Sequence, residues 1–189
     1  MAGMTVGSSL FVPMLTSLAE LLPHDDVLAP EELSTLSAGI VARPDLWRPL
    51  VRIDRERRRY ELLYEDEHTD VWVISWMPGH ATGFHDHWVS SVGLCVAEGT
   101  VREDQMRFGA PAIERTLTPT QTRSGGHSYI HRIQHVAGAP AVTVHSYSPR
   151  LDWIGQYRLD DDGTVRREIE PGRNELRDQL AAEGALVRF

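Results

Sequence analysis

Beyond residue 50 the chain consists of short β-prone runs separated by turn residues, and this pattern restricts the fold more than any other feature. Runs rich in β-branched and aromatic residues, bounded by glycine, proline or aspartate, are typical of strands. Six such runs span residues 60–64, 71–76, 92–97, 101–108, 129–135 and 141–147. A predicted hairpin, with its turn at Asp162 and Gly163, joins residues 154–159 and 164–169. The spacing predicts an antiparallel barrel or sandwich.

Helices are predicted on both sides of this β region. Leucines recur at helical spacing in residues 15–22, and Pro30 followed by two glutamates begins a second helix that reaches about residue 41. Leucines one turn apart predict a third helix at residues 174–185.

The length of 189 residues favours a single domain. Neither an internal repeat nor a long linker divides the sequence. We therefore expect one domain built from three parts: a helical segment at residues 1–50, a β-barrel at residues 51–170 and a C-terminal helix or tail at residues 171–189.

Composition limits the partners and the compartment. The 19 basic and 27 acidic residues give a formal net charge of -8, which opposes docking on a phosphate backbone or an anionic membrane. We therefore expect neither nucleic acid nor a membrane as a partner. The first residues lack a positive leader and Pro13 interrupts their apolar run, while the single cysteine, Cys95, can form no internal disulfide. These features predict a cytoplasmic protein, and they leave the oligomeric state open, with a monomer compatible.

Histidines are the main functional signal, because seven of the nine fall between residues 80 and 145. In the sequence His85-Asp86-His87 the two imidazoles share one face of an extended strand, since side chains alternate with a period of two. Imidazole is the commonest metal ligand in proteins, so this pair is a candidate metal site. His80, His127 and His135 are predicted instead to be surface or core histidines.

The residues around this pair match the spacing of the first cupin motif. Gly79 precedes His85 by six positions, and Gly99 follows at the motif's second glycine. Val92 stands where most cupins have a glutamate. Because valine cannot bind a metal, a site made of three histidines is the natural alternative. The spacing alone permits iron, zinc, nickel or copper.

A second block, residues 131–149, contains His131 and a predicted strand on which Thr143, His145 and Tyr147 share a face. Together the two blocks resemble the cysteine dioxygenase family of cupin thiol dioxygenases over about residues 57–150. The resemblance implies a mostly β, single-domain cupin fold, an antiparallel β-barrel or jelly roll with short N-terminal helices and a C-terminal helix.

The resemblance also implies the members of the site. It implies Fe(II) as the cofactor, bound by His85, His87 and His131. It assigns catalytic roles outside the metal's ligand set to Thr143, His145 and Tyr147, with threonine in place of the family's serine.

Two residues are candidates for binding the substrate. Reading back without a gap from Trp76 puts the family's carboxylate-binding arginine at Arg59, within the run from Arg55 to Arg59. The bulky Trp88, directly after the histidine pair, is the candidate for an aromatic pocket wall.

The sequence departs from the family at several positions. Some members carry a cysteine that cross-links to the motif tyrosine, but the matching position is Val92, and Cys95 has a different offset. Tyr147 is therefore predicted to be an unmodified phenol. His135 and Arg57 replace an asparagine and a tyrosine that the family usually has.

The function implied by the resemblance is oxidation of a small carboxylate-bearing thiol by O₂ to the sulfinic acid. L-Cysteine is the leading substrate, since an arginine is available for its carboxylate. 3-Mercaptopropionate and ergothioneine remain open within the same chemistry. A metal-binding cupin that acts as a sensor without redox catalysis is the alternative from another class.

Overall fold

The computed structural model describes residue 21 and residues 26–173. Its helices are α1 (Pro30–Val41) and α2 (Pro44–Trp47), and a 3₁₀ turn (Arg48–Leu50) follows them. The strands are β1 (Arg59–Glu65), β2 (Asp70–Trp76), β3 (Phe84–Asp86), β4 (Ser91–Glu98), β5 (Val101–Gln105), β6 (Ile113–Leu117), β7 (Thr122–Gly125), β8 (His131–Gln134), β9 (Ala141–Ser148), β10 (Trp153–Leu159) and β11 (Val165–Pro171). Within this part of the chain, no helix is long and apolar enough to cross a membrane.

The strands form two antiparallel sheets. The first has the order β1-β2-β9-β4-β7, and the second has the order β11-β10-β3-β8-β5-β6. Residues from both sheets, such as Trp76 and Leu94 of the first and Ile133 of the second, form one hydrophobic core. The mostly β, single-domain cupin architecture expected from the sequence is confirmed.

Among the described strands, β6 and β7 differ from the sequence prediction, and two predicted helices are not tested. The polar strands β6 and β7 are not predicted, because their half-exposed residues carry no apolar alternation. The predicted helix at residues 15–22 lies, apart from Leu21, outside the described residues, and so does the one at residues 174–185.

Alternation along the strands gives the first sheet two different apolar faces. One face, with Val71 and Val144, packs in a core with Leu33 and Ile40 of α1. The other face, with Trp72 and the rest of the second core, points between the sheets. Side chains at odd positions of β9, including the three predicted catalytic residues, therefore lie on the inner side of the barrel.

Helix α1 covers the outer face of the first sheet at very close range. Its start is stabilised by Glu32, whose side chain accepts a hydrogen bond from the Ala29 N–H at 2.8 Å. A Cβ atom at Gly93 would lie 2.2 Å from the backbone of Leu33, so only glycine allows this approach. Ser37 then donates a hydrogen bond to the Gly93 carbonyl at 3.0 Å. This contact fixes the helix against β4.

Candidate functional site

Two adjacent strands of the second sheet bring three histidines together. His85 lies in β3, directly opposite His131 at the start of β8, and His87 follows the end of β3. One ring nitrogen of each histidine lies within 4.8 Å of the others. All three side chains are buried. The structure therefore assembles the trio expected from the sequence as the metal ligands.

Hydrogen bonds orient two of these rings. His85 Nδ1 is 3.0 Å from the Gly83 carbonyl oxygen, and His131 Nδ1 is 2.9 Å from Glu103 Oε1. Both partners accept, so each Nδ1 carries the proton and each Nε2 keeps its lone pair. A lone pair on Nε2 is what a metal ligand requires.

The third ring, His87, provides the test of whether a metal fits. It is only 1% exposed, and neither of its ring nitrogens has a hydrogen-bond partner among the described residues. A buried imidazole without partners is costly, and a metal ion between the three rings would satisfy it. The donor set therefore fits a divalent cation.

The protonation state of the trio also suits a metal. Burial lowers the pKa of His85 to about 3, and the neighbouring His131 acts in the same direction. Burial and the other two rings likewise lower the pKa of His87 well below its ordinary value. His85 and His87 are therefore neutral at physiological pH, which is the form that binds metals. Three neutral ligands leave the full charge of a divalent ion in place, so it would attract an anion such as a thiolate.

A chain of hydrogen bonds runs along the inner side of β9. Trp76 donates its indole N–H to Thr143 Oγ1 at 2.9 Å. Thr143 Oγ1 lies 3.0 Å from His145 Nε2, and His145 Nδ1 lies 3.2 Å from the Tyr147 hydroxyl. The structure thus links the three predicted catalytic residues to one another.

Trp76 sets the direction of this chain, because an indole nitrogen can only donate. Thr143 accepts from Trp76 and can donate its own proton to His145 Nε2. In the tautomer with the proton on Nδ1, His145 accepts from Thr143 and donates to Tyr147. Burial lowers the pKa of His145 to about 3, so this ring is neutral. The arrangement holds Tyr147 with its ring centroid 5.2 Å from that of His87.

A cavity opens beside the trio and is shaped by residues of both sheets. His85, His145 and Tyr147 form part of its wall. Aromatic and charged groups complete it, namely Tyr60, Trp72, Trp76, Arg58, Glu170 and Arg173. Arg173 binds the carboxylates of Glu65 and Asp70 at 3.0 Å and 2.9 Å. The cavity therefore combines an apolar wall with cationic groups and leads to the histidines.

Besides Arg173, which binds Glu65 and Asp70, the cavity wall contains Arg58 from the predicted arginine run. The Arg58 guanidinium carbon lies 5.5 Å from the ring centroid of Tyr60 and 5.4 Å from that of Trp76. Arg59, which the ungapped reading selects, does not line the cavity. Adjacent strand residues face opposite sides, and the Arg59 side chain lies 3.6 Å from Glu61. Of these two neighbouring arginines, the structure therefore places Arg58, and not the predicted Arg59, at the cavity.

Trp88 is also placed away from the cavity. Its side chain is 39% exposed, and the Arg167 guanidinium carbon lies 5.0 Å from its ring centroid. Asp86 holds this turn by accepting from the Trp88 N–H at 2.9 Å and from Arg167. The aromatic wall expected at Trp88 is therefore supplied by Tyr60 and Trp72 instead.

Three other described histidines that the sequence analysis considers, and the cysteine, lie away from the trio. His80 Nδ1 accepts from the Met77 N–H, His135 Nε2 donates to the Ala139 carbonyl, and His127 is exposed. Val92 lies directly opposite Tyr147 between β4 and β9, whereas Cys95 packs in the core beneath α1. No thiol is therefore beside Tyr147, as expected for an unmodified phenol.

Glu103 is a site residue that the sequence analysis does not identify. It is fully buried, and its Oε1 accepts from His131 and from the Tyr129 hydroxyl at 2.8 Å. Although burial acts to raise the pKa of Glu103, hydrogen bonds from His131 and Tyr129 and the charge of Arg123 hold it below its ordinary value. Alternation from Val101, two residues earlier in β5, indicates that Glu103 is buried, but only the pairing of β5 with β8 brings it to His131.

Comparison with known proteins agrees with this geometry. Residues 1–160 match the family model described as Cysteine dioxygenase type I. The chain is 27% identical over 149 residues to cysteine dioxygenase type 1 of Rattus norvegicus, covering 74% of each. It is 24% identical over 149 residues to the Homo sapiens protein of the same description, again covering 74% of each.

Two solved structures are also similar. One, from Thermus thermophilus, has a TM-score of 0.49 at 20% identity and covers 55% of this chain and 93% of its own. The other, an uncharacterized double-stranded β-helix protein from Klebsiella pneumoniae, has a TM-score of 0.48 at 15% identity, covering 64% and 91%. The family assignment depends on the family model, which spans most of the sequence. This protein belongs to the cysteine dioxygenase type I family.

Proposed function

We propose that the protein is an Fe(II)-dependent thiol dioxygenase that converts a small carboxylate-bearing thiol, L-cysteine first, into its sulfinic acid. In this reaction RSH and O₂ give RSO₂H, so the sulfur loses four electrons and O₂ gains them. The observation that carries the proposal is the buried trio of histidines beside a cavity that contains Arg58. Family membership supports an oxygenase.

The metal would be held by His85, His87 and His131. Fe(II) bound there supplies a centre at which a thiolate and O₂ can meet, with open positions that the three protein ligands leave. The neutral charge of the imidazoles favours binding of the substrate as a thiolate. The trio contains no carboxylate whose negative charge would weaken this attraction.

Arg58 would bind the carboxylate of the substrate. A guanidinium forms two parallel hydrogen bonds to a carboxylate, which fixes both the position and the direction of the substrate. Tyr60 and Trp76, which lie against this guanidinium, limit its motion. The aromatic wall also excludes water, which strengthens the ion pair between the arginine and the substrate.

Tyr147 would hold a hydroxyl proton near the reacting groups. Its hydroxyl lies 3.2 Å from His145 Nδ1, and Tyr147 lines the cavity, where a phenol can donate to an oxygen atom of a bound group. Thr143 and Trp76 continue the series of hydrogen bonds that positions His145. This series therefore positions one donor without placing a charge in the site.

The first experiment measures O₂ consumption by the Fe(II)-loaded protein with L-cysteine, cysteamine, 3-mercaptopropionate and ergothioneine, together with the mass of the product. We expect uptake with a carboxylate-bearing thiol and a gain of two oxygen atoms. Uptake with another compound of the panel would revise the proposed substrate and support the proposed dioxygenase reaction. Bound iron with no uptake across the panel would contradict the proposal and favour a sensor without redox chemistry.

Replacing Tyr147 by phenylalanine tests the donor. We expect kcat to fall by about 10²-fold, the lower range for a positioned proton donor, while iron content stays the same. Tyr157→Phe is the matched control, since its hydroxyl donates to Asp86 at 2.7 Å and does not line the cavity. Equal kcat values for the two variants would remove Tyr147 from the reaction.

A further inference from the structure

A buried carboxylate lies behind one of the three histidines. Glu103, in β5, is 0% exposed and lies on a strand that pairs with β8, which carries His131. Its Oε1 is 2.9 Å from His131 Nδ1 and 2.8 Å from the Tyr129 hydroxyl. Both contacts are made by the same oxygen atom, so His131 and Tyr129 share one acceptor.

The other oxygen of Glu103 faces two cations. Arg123 Nε lies 3.3 Å from Oε2, and Arg115 NH1 lies 3.7 Å from it. Burying a lone carboxylate is strongly unfavourable, and two guanidinium groups with two hydrogen bonds offset that cost. The surroundings of Glu103 are therefore built to keep a negative charge inside the barrel.

This charge lies one hydrogen bond from a metal site that has no anionic protein ligand. A carboxylate that accepts from Nδ1 of a ligating histidine fixes the tautomer and the ring orientation, and makes the other nitrogen a stronger donor. His85 has only the neutral Gly83 carbonyl in this role, and His87 has no partner among the described residues. Glu103 thus distinguishes His131 from the other two histidines.

We propose that Glu103 is the positioning residue of the metal centre: through His131 it raises metal affinity, and Arg115, Arg123 and Tyr129 hold it in place. The inference rests on the metal site of the proposed function but requires no particular thiol. It predicts that loss of the carboxylate weakens metal binding even though Glu103 contacts neither metal nor substrate.

The neighbouring residue in β5 provides a matched control. Asp104 is also 0% exposed, and it binds Arg132 and Gln134, each at 2.6 Å, on the opposite face of the strand. Asp104→Asn therefore removes a buried negative charge with cationic partners from the same strand. It leaves all contacts of the histidine trio intact, so it reports the structural cost alone.

The test compares metal affinity in Glu103→Ala, Glu103→Gln and Asp104→Asn with that of the unchanged protein. Fe(II) and Co(II) are titrated into each metal-free protein against a chelator, and the Co(II) absorption spectrum reports the ligand geometry. We expect Glu103→Ala to lose about 10- to 100-fold in affinity, with an altered Co(II) spectrum. Glu103→Gln, which can still accept from Nδ1 but lacks the charge, should lie in between.

The outcomes separate this inference from the proposed function. Unchanged affinity in both Glu103 variants, or an equal loss in Asp104→Asn, would overturn the role of Glu103 and leave the three-histidine site standing. A Glu103-dependent affinity in a protein that oxidises no thiol would support the inference and contradict the dioxygenase proposal. Thermal unfolding of the metal-free proteins shows whether each variant folds. If Glu103→Ala does not fold, the metal affinity of Glu103→Gln, which is close to glutamate in shape, decides whether the inference stands.

Discussion

Replacing His87 by alanine is expected to abolish stoichiometric metal binding and, with it, any thiol-dependent O₂ uptake. This ring is almost fully buried, and neither of its nitrogens has a hydrogen-bond partner among the described residues. A metal is therefore the partner that its burial requires, and two remaining imidazoles hold a divalent ion far more weakly than three. Iron content by elemental analysis, measured after loading and desalting, is the readout.

His127→Ala is the control for this experiment, because His127 is exposed and belongs to neither the trio nor the cavity wall. It should keep full metal content. The metal-free His87→Ala protein should remain folded, since removing an unpartnered polar group from the interior relieves a desolvation cost. Normal iron content in His87→Ala would disprove its assignment as a ligand.

Arg58→Ala is expected to raise KM for a carboxylate-bearing thiol by about 10- to 150-fold. This range corresponds to the loss of a charged hydrogen-bonded contact worth about 1.5 to 3 kcal/mol. Arg58 lies in the cavity wall, against Tyr60 and Trp76, where a carboxylate can reach it. Steady-state O₂ uptake over a range of L-cysteine concentrations measures the change.

Arg59→Ala provides the matched comparison, because it removes the adjacent arginine from the opposite face of β1. We expect its KM to stay within about twofold of the unchanged protein, because Arg59 does not line the cavity and its side chain lies beside Glu61. Cysteamine, which lacks the carboxylate, should be insensitive to Arg58→Ala. The reverse pattern, with Arg59→Ala raising KM and Arg58→Ala silent, would restore the residue chosen by ungapped counting.

Two of the three histidines could be identified from sequence spacing, and the third, His131, through the resemblance to the cysteine dioxygenase family. His85 and His87 are two residues apart, which places both side chains on one face of an extended chain. His131 begins another β-prone run, and it pairs directly with His85. The same alternation predicts that Thr143, His145 and Tyr147 line up, as the structure shows.

The arginine could not be identified in this way, for a physical reason. The pairing of β1 with β2 shifts register between Leu62 and Tyr64, where one extra residue is accommodated. Counting back from Trp76 without a gap crosses this bulge, so the count alone does not decide between Arg58 and Arg59. Since a shift of one residue reverses the face, a difference of one position in the count exchanges one neighbouring arginine for the other.

Glu103 and Trp88 show what strand patterns leave out. An acidic residue in the run VREDQ reads as solvent-exposed, and only the pairing of β5 with β8 reveals its contact with His131. Trp88 adopts a positive φ of 57°, which turns its side chain away from the direction that an extended strand would give. Both depend on long-range pairing or local backbone geometry rather than on residue spacing.

The position of Cys95 has a practical consequence. Its thiol is 0% exposed beneath α1, on the opposite side of the first sheet from Tyr147, and burial raises its pKa to about 11. A thiolate is the reactive form of cysteine, so this sulfur resists both oxidation and alkylation while the protein is folded. Since the chain has no other cysteine, a thiol-specific reagent measures the concentration of remaining thiol substrate without a contribution from the native protein. The appearance of a reactive thiol then reports unfolding directly.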